Sequence, residues 1–159
     1  SHLAGTVVYD PLPAGRWNGI CQAGEGFTAA HCNNKLIGAR FFNTTWKLAA
    51  SLGLVTTWSG EYLDSPRDAD GHGTHTLTTS GGNENTDVSI NGSQFTISGI
   101  APRARIAAYK SCYVPVTAGA PGQGSCYQSD SAAAIEAAVA DGVDVINFSI
   151  GGSRISVVA

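Results

Sequence analysis

Methionine is absent from all 159 residues. The chain is therefore expected to be a processed product, a proteolytic piece or a cloned segment, not one that starts at its own initiator. Charge is scarce too: 13% of residues are Asp, Glu, Lys or Arg, and their net charge is −3. That balance provides no electrostatic pull toward nucleic acid or an anionic membrane surface, and neither is expected as a partner. Long apolar runs are also missing. The best candidates, 131–140 and 143–150, are broken by Glu136 and by Asp144 and Asn147. Neither reaches the ~20 apolar residues that a transmembrane helix needs.

What is present fits one globular domain spanning 1–159. Hydrophobic residues make up 43% of the chain, enough for a core, and the 20 glycines sit singly or in pairs between apolar runs, as tight turns require. There are four cysteines, Cys21, Cys32, Cys112 and Cys126. Four allow three connectivities, of which the local pairing 21–32 and 112–126 is favoured; each such loop contributes about 3 kcal/mol in the chain-entropy model. No C-x-x-C spacing supports a zinc site instead. Disulfides point to an oxidising compartment and a secreted protein. Asn43-Thr-Thr and Asn91-Gly-Ser have the form of glycosylation sequons.

Residues 1–34 read as loop. Lys35–Phe42 is predicted as a strand, Trp46–Leu54 as a short helix and Ser59–Gly71 as a polar surface loop. His72–Ser80 is rich in threonine and stops at Gly81-Gly82. It is expected to be a helix that depends on tertiary packing. Gln94–Gly99 and Ala104–Lys110 read as strands, and 111–128 as a Gly/Pro/Cys loop. Ser129 or Asp130 is expected to cap a helix with Ala134, Ile135, Ala138 and Val139 on its apolar face and Gly142 at its end. Val143–Ile150 follows as a buried strand. Strand, helix and strand make a βαβ unit, whose two strands should be parallel. The predicted fold class is α/β, with ligands at the carboxyl ends of the strands.

The chemistry concentrates in Asp68-Ala-Asp-Gly-His72-Gly-Thr-His75-Thr. A histidine between two glycines, entering a helix, has a backbone that a substrate can approach. The helix N-terminus nearby favours the neutral, proton-accepting ring. Most histidines are ordinary loop or core residues. A second alternative takes His72 and His75 as zinc ligands three apart, but it lacks a third ligand, His31 beside Cys32 being the one candidate.

The string D-G-H-G-T-H-T resembles the histidine motif of the subtilisin-like serine proteases, the subtilases. Three further blocks resemble that family in the same order: Gly99-Ile-Ala-Pro102 with Ala104–Lys110, then Asp130–Ala140, then Gly142–Gly152. The pieces Trp17-Asn-Gly-Ile-Cys21, Cys32–Arg40 and Ser65-Pro-Arg-Asp68 are similar to the cucumisin-like subgroup of plants and related bacteria. The resemblance spans roughly 11–152. It implies a partial subtilisin-like three-layer fold, a parallel sheet flanked by helices, and both local disulfides.

By the same resemblance His72 is the general base of a Ser-His-Asp triad, and Ser149, Ile150 and Gly151 form one wall of the pocket for the residue before the scissile bond. Thr74 and His75 are structural in that reading, and Asp68 and Asp70 are loop acids. The expected partners are a polypeptide substrate in extended conformation and the remaining segments of the catalytic domain; no cofactor and no metal are implied. The family's aspartate context, D-[ST]-G, does not occur before His72, and no serine here has the nucleophile's context, G-T-S-[MA]-A. Thr78 stands where the motif carries a smaller residue. The chain is thus expected to be the central, histidine-bearing fragment of an endopeptidase, inactive alone. The alternatives are a non-catalytic binding or structural module of the same fold and, third, a zinc-binding protein.

Overall fold

The computed structural model describes residues 9–151. In chain order it has β1 (Leu36–Phe41), α1 (Thr44–Ser51), α2 (His72–Gly81), β2 (Thr86–Ile90) and β3 (Ser93–Ile97). Then follow β4 (Ile106–Lys110), the two-residue strands β5 (Cys112–Tyr113), β6 (Val116–Thr117), β7 (Ala120–Pro121) and β8 (Ser125–Cys126), and α3 (Gln128–Asp141). The fold is α/β, as the pattern of apolar runs predicts.

The central pairing is β1 with β4, in parallel, from Leu36 opposite Ile106 to Phe41 opposite Lys110, with an irregularity between Leu36 and Gly38. Successive side chains of a strand point to opposite faces. Ile106 lies against α2, where a Cβ added at Gly81 would come within 2.7 Å of its Cγ2. Three residues on, and hence on the other face, Tyr109 donates its hydroxyl to Asp141 at the end of α3 at 2.8 Å. Arg40, opposite Tyr109 in register, reaches the same carboxylate at 3.1 and 3.2 Å. Helices α2 and α3 therefore cover opposite faces of this two-stranded sheet. Burial first, then the Asp141 charge, push the Tyr109 hydroxyl above its ordinary pKa, so it remains a donor.

Helix α1 is docked by charge and by aromatic packing. Asp130 is buried, and its two carboxylate oxygens accept the N–H groups of Thr45 at 2.9 Å and Trp46 at 3.0 Å. It satisfies donors that the first turn of a helix leaves unpaired. Ser129 or Asp130 was expected to cap the helix that follows. Instead α3 starts at Gln128, with Tyr127 at the N-cap position and no side-chain cap, and the Asp130 carboxylate is engaged by α1. Behind this contact, Trp46 and Tyr113, each 1% exposed, pack with ring centroids 5.4 Å apart. The Trp46 indole N–H donates to Thr57 Oγ1 at 2.8 Å.

Other expectations are also corrected. On α3, Ala134 and Ala138 are buried as predicted, but Val139 is 66% exposed and Ile135 also faces solvent. A two-stranded sheet is too narrow to cover the full apolar stripe. Strand β3 has a partner that the sequence reading missed, β2, in an antiparallel hairpin. The 111–128 loop contains two small ladders, β5 with β8 and β6 with β7. Disulfides join Cys21 to Cys32 and Cys112 to Cys126, the local pairing.

The largest correction concerns 143–150. Among the described residues these form no strand and join no ladder; Asp144 pairs with Arg16 at 2.6 Å, while Val145 is 86% and Phe148 50% exposed. The parallel partner of β4 is β1, not this segment. A strand needs a neighbour for its N–H and C=O groups, and no described strand pairs with this segment. Gly142 does end α3, at φ 94°, as expected. Gly152 lies outside the described residues.

Candidate active site

The loop that leads into α2 is held by a buried ion pair. Glu61, whose side chain is 1% exposed, accepts Lys110 Nζ at 2.6 Å on one oxygen and the Val114 N–H at 2.8 Å on the other. Lys110 closes β4, and its ammonium also donates to the carbonyls of Tyr62 at 2.9 Å and Arg67 at 2.6 Å. All three ammonium protons thus have acceptors, which is what makes burial of the charge tolerable. The result ties residues 61–67 to the carboxyl end of the sheet. Above them Arg67 stacks on the Tyr62 ring, 3.9 Å from its centroid.

One residue further, Asp68 organises the entrance of α2. Its Oδ1 accepts the N–H groups of Asp70 at 3.0 Å and Gly71 at 2.9 Å, and its Oδ2 accepts that of Thr74 at 2.7 Å. Gly71 takes φ 91°, a conformation that glycine adopts readily and other residues resist. It carries no side chain to cap the helix, so the carboxylate three residues upstream caps instead. Partial desolvation pushes Asp68 up. The opposing donations from Gly71, Thr74 (backbone and hydroxyl) and Asp70 outweigh it, and the carboxyl lies below its ordinary value of 3.8.

His72 is the first residue of α2 and is exposed. Among the described residues no hydrogen bond engages its ring; its backbone N–H lies 3.4 Å from Asp70 Oδ2. The imidazole is open on the solvent side while its backbone is fixed by the turn below. His75 is likewise exposed, with its N–H donated to the Gly71 carbonyl at 3.0 Å. Thr78 returns its hydroxyl to the carbonyls of Thr74 at 2.8 Å and His75 at 3.2 Å.

The far end of α2 is closed by the Gly99-Ile-Ala-Pro turn. Ile100 and Ala101 donate their N–H groups to the carbonyls of Thr79 at 2.9 Å and Ser80 at 2.8 Å. A side chain at Gly99 would strike the backbone of Gly82, with its Cβ 2.3 Å from that nitrogen. The motif after the helix is therefore its C-terminal cap.

Beside the start of α2 is an open cleft of about 640 Å³, where Asp70 faces Pro115, Thr117, Gly122, Gln123 and Ser125 of the disulfide-closed loop. Ser149, Ile150 and Gly151 are exposed and lie in no strand, and among the described residues no hydrogen bond joins them to His72. The structure thus presents the histidine on a fixed helix entrance, with Asp70 but not His72 lining the cleft, and the 149–151 segment outside any ladder of the described residues. His31 stacks on Phe27, with centroids 5.0 Å apart, and its neighbour Cys32 is in a disulfide. Among the described residues no three His, Cys, Asp or Glu side chains converge as metal ligands. None of the described helices is long and apolar enough to cross a membrane.

Sequence reasoning missed the roles of Glu61 and Lys110 and took Asp68 for a plain loop acid. Only the spacing from Asp68 to Gly71 and Thr74 carried a signal, that of an acid preceding a helix start.

The model of the Subtilase family matches residues 53–157. Among curated proteins, the chain is 48% identical over 147 residues to the subtilisin-like protease SBT5.3 of Arabidopsis thaliana, covering 92% of this chain and 17% of that protein. It is 47% identical to SBT1.6 over 143 residues, covering 89% and 17%, and 46% identical to SBT3.13 over 145 residues, covering 89% and 19%, both also from Arabidopsis thaliana. It spans less than a fifth of the length of these relatives. A family match that runs through α2, β4 and α3 agrees with the order of motifs and with the parallel α/β core: the chain belongs to the subtilase family.

Proposed function

We propose that this chain is the histidine-bearing part of the catalytic domain of a secreted serine endopeptidase and is inactive by itself. The observation that carries this reading is the state of His72: an exposed ring without partners on a backbone fixed by Asp68 and Gly71. In this role the imidazole takes the proton from a serine hydroxyl as that oxygen attacks the peptide carbonyl. It then returns the proton to the leaving amine. Both the serine and the aspartate that orients the ring come from segments other than those described here.

Ser149, Ile150 and Gly151 offer backbone groups and one pocket wall to an extended peptide, which binds by adding a strand. Their exposure, and the lack of any backbone hydrogen bond to them among the described residues, leave those groups free for that use. Secretion is supported by the two disulfides, which persist in oxidising compartments.

The test is made on the polypeptide that carries this chain. A serine-directed fluorophosphonate should abolish peptide hydrolysis, and His72→Ala should lower kcat by about four or more powers of ten while the fold is retained. Full activity in the His72 variant overturns the assignment. A polypeptide that binds peptides but leaves them intact would favour the non-catalytic module, and stoichiometric zinc held by His72 and His75 would replace the protease reading altogether.

A further inference from the structure

The sequence carries three Asn-x-Ser/Thr triplets within the described residues: Asn43-Thr-Thr, Asn91-Gly-Ser and Asn147-Phe-Ser. The fold separates them by what the amide nitrogen is doing. Asn43 is 9% exposed, and its Nδ2 donates to the Leu63 carbonyl at 2.7 Å and to Asp64 Oδ1 at 3.0 Å. A carboxamide nitrogen has two protons, and both are committed to holding Leu63 and Asp64 of the 59–71 loop. A sugar there would remove one of these bonds and would have no room.

Asn91 is the opposite case. It forms, with Gly92, the two-residue tip of the β2–β3 hairpin, in the left-handed region at φ 50°, followed by Gly92 at φ 81°. Asn91, Gly92 and Ser93 are all exposed, no hydrogen bond engages the Asn91 side chain, and a Cβ placed at Gly92 would meet nothing within 4 Å. The cross-strand pairs Val88 with Phe95 and Ile90 with Ser93 lie on one face of this hairpin, and Ile90 and Phe95 are solvent-exposed. A hydrophilic glycan at the tip would stand beside that apolar face. Asn147 is exposed too, with Ser149 donating its hydroxyl to Asn147 Oδ1 at 3.2 Å, but it lies within the segment assigned above to the substrate wall.

We propose that Asn91 is the N-glycan acceptor of this protein in a eukaryotic secretory pathway, and that Asn43 is not one in the folded molecule. The donor class is an oligosaccharide linked through pyrophosphate to a membrane lipid. Asn91 Nδ2 forms a bond to the anomeric carbon and loses one proton. The bond from that carbon to the pyrophosphate oxygen breaks, and the lipid pyrophosphate leaves with the electron pair. The Asn91 site follows from its exposure and free amide; the exclusion of Asn147 rests on the protease reading.

The polypeptide carrying this chain is to be secreted from yeast behind a host signal sequence. It is then deglycosylated by an amidase in heavy-oxygen water, so that each formerly glycosylated asparagine becomes a labelled aspartate, and mapped by mass spectrometry. Label is expected at Asn91. It should be lost in Ser93→Ala, which removes the acceptor hydroxyl and keeps the Asn-Gly turn, and unchanged in Thr45→Val, which destroys the Asn43 triplet without touching Asn43. Unlabelled Asn91 in folded, secreted protein overturns the proposal, as does label at Asn43. Label at Asn147 in material that cleaves peptides counts against the 149–151 wall and leaves the Asn91 site standing.

Discussion

The stretch 61–74, which carries the proposed general base His72, and the stretch 142–151, which carries the proposed pocket wall, are in different physical states. In the first, the Glu61 and Asp68 carboxylates and the Lys110 ammonium find partners within the chain, and His72 is held at a defined position. In the second, apolar residues from Val145 to Ile150 face solvent, and no backbone ladder forms. A helix satisfies most of its backbone from within and needs help only at its ends. A strand satisfies none of it alone. The 61–74 stretch is therefore preorganised by groups that this chain contains, whereas 142–151 has no ladder among the described residues.

The largest contrast is expected in amide exchange. The N–H groups of Ile106–Lys110 should exchange orders of magnitude more slowly than those of Val145–Ile150, which should approach the unprotected rate. Comparable protection of the two segments would show that 143–150 is paired after all and would dissolve the comparison.

Next in size is the buried pair. Lys110→Met leaves the Glu61 carboxylate buried without its countercharge and should cost about 3–5 kcal/mol in urea unfolding. Replacing both partners with apolar residues of similar volume should cost much less. A cost below 1 kcal/mol for the single variant would mean that the 61–67 loop is not anchored at β4.

Smaller still is the cap. Asp68→Ala should cost about 1 kcal/mol and should lower kcat through His72 without equal loss of overall stability. The sign of its pH dependence follows from the depressed carboxyl. The unfolded chain binds that proton more readily than the folded one, so the stabilisation is full above the ordinary value of 3.8. It fades as pH falls through the lower folded value. The difference between wild type and the variant should be flat from pH 5 to 8 and shrink in stronger acid. A difference that grows in acid would contradict this role.

At the bottom of the scale, Val145→Thr should change the stability of this chain by less than about 0.5 kcal/mol, because the side chain buries almost nothing. A loss above 1 kcal/mol would show that the residue has a packing partner.

Much of this was readable before any fold was known. The strand 35–42, the helix at 72–80 between Gly71 and Gly81-Gly82, and the stop at Gly142 follow from residues whose preferences act over one or two turns. The family and the motif around His72 were carried by short strings in a fixed order. What was misread depended on distant partners. Asp130 looked like a cap for its own helix but caps α1, 85 residues earlier in sequence at Thr45. Val139 looked like core but has nothing to cover it.

The sequence by itself determined where the helices lie, though not each of their ends, which class of fold they build, and which imidazole is chemically distinctive, because local backbone preference and hydrophobic period are written in neighbouring residues. Only the tertiary structure decided that Glu61 meets Lys110, that Asp68 locks the turn below His72, and that Val143–Ile150 joins no ladder of the described residues. Ion pairs and β-ladders are contracts between segments far apart in the chain, and whether the second party is present cannot be read from the first.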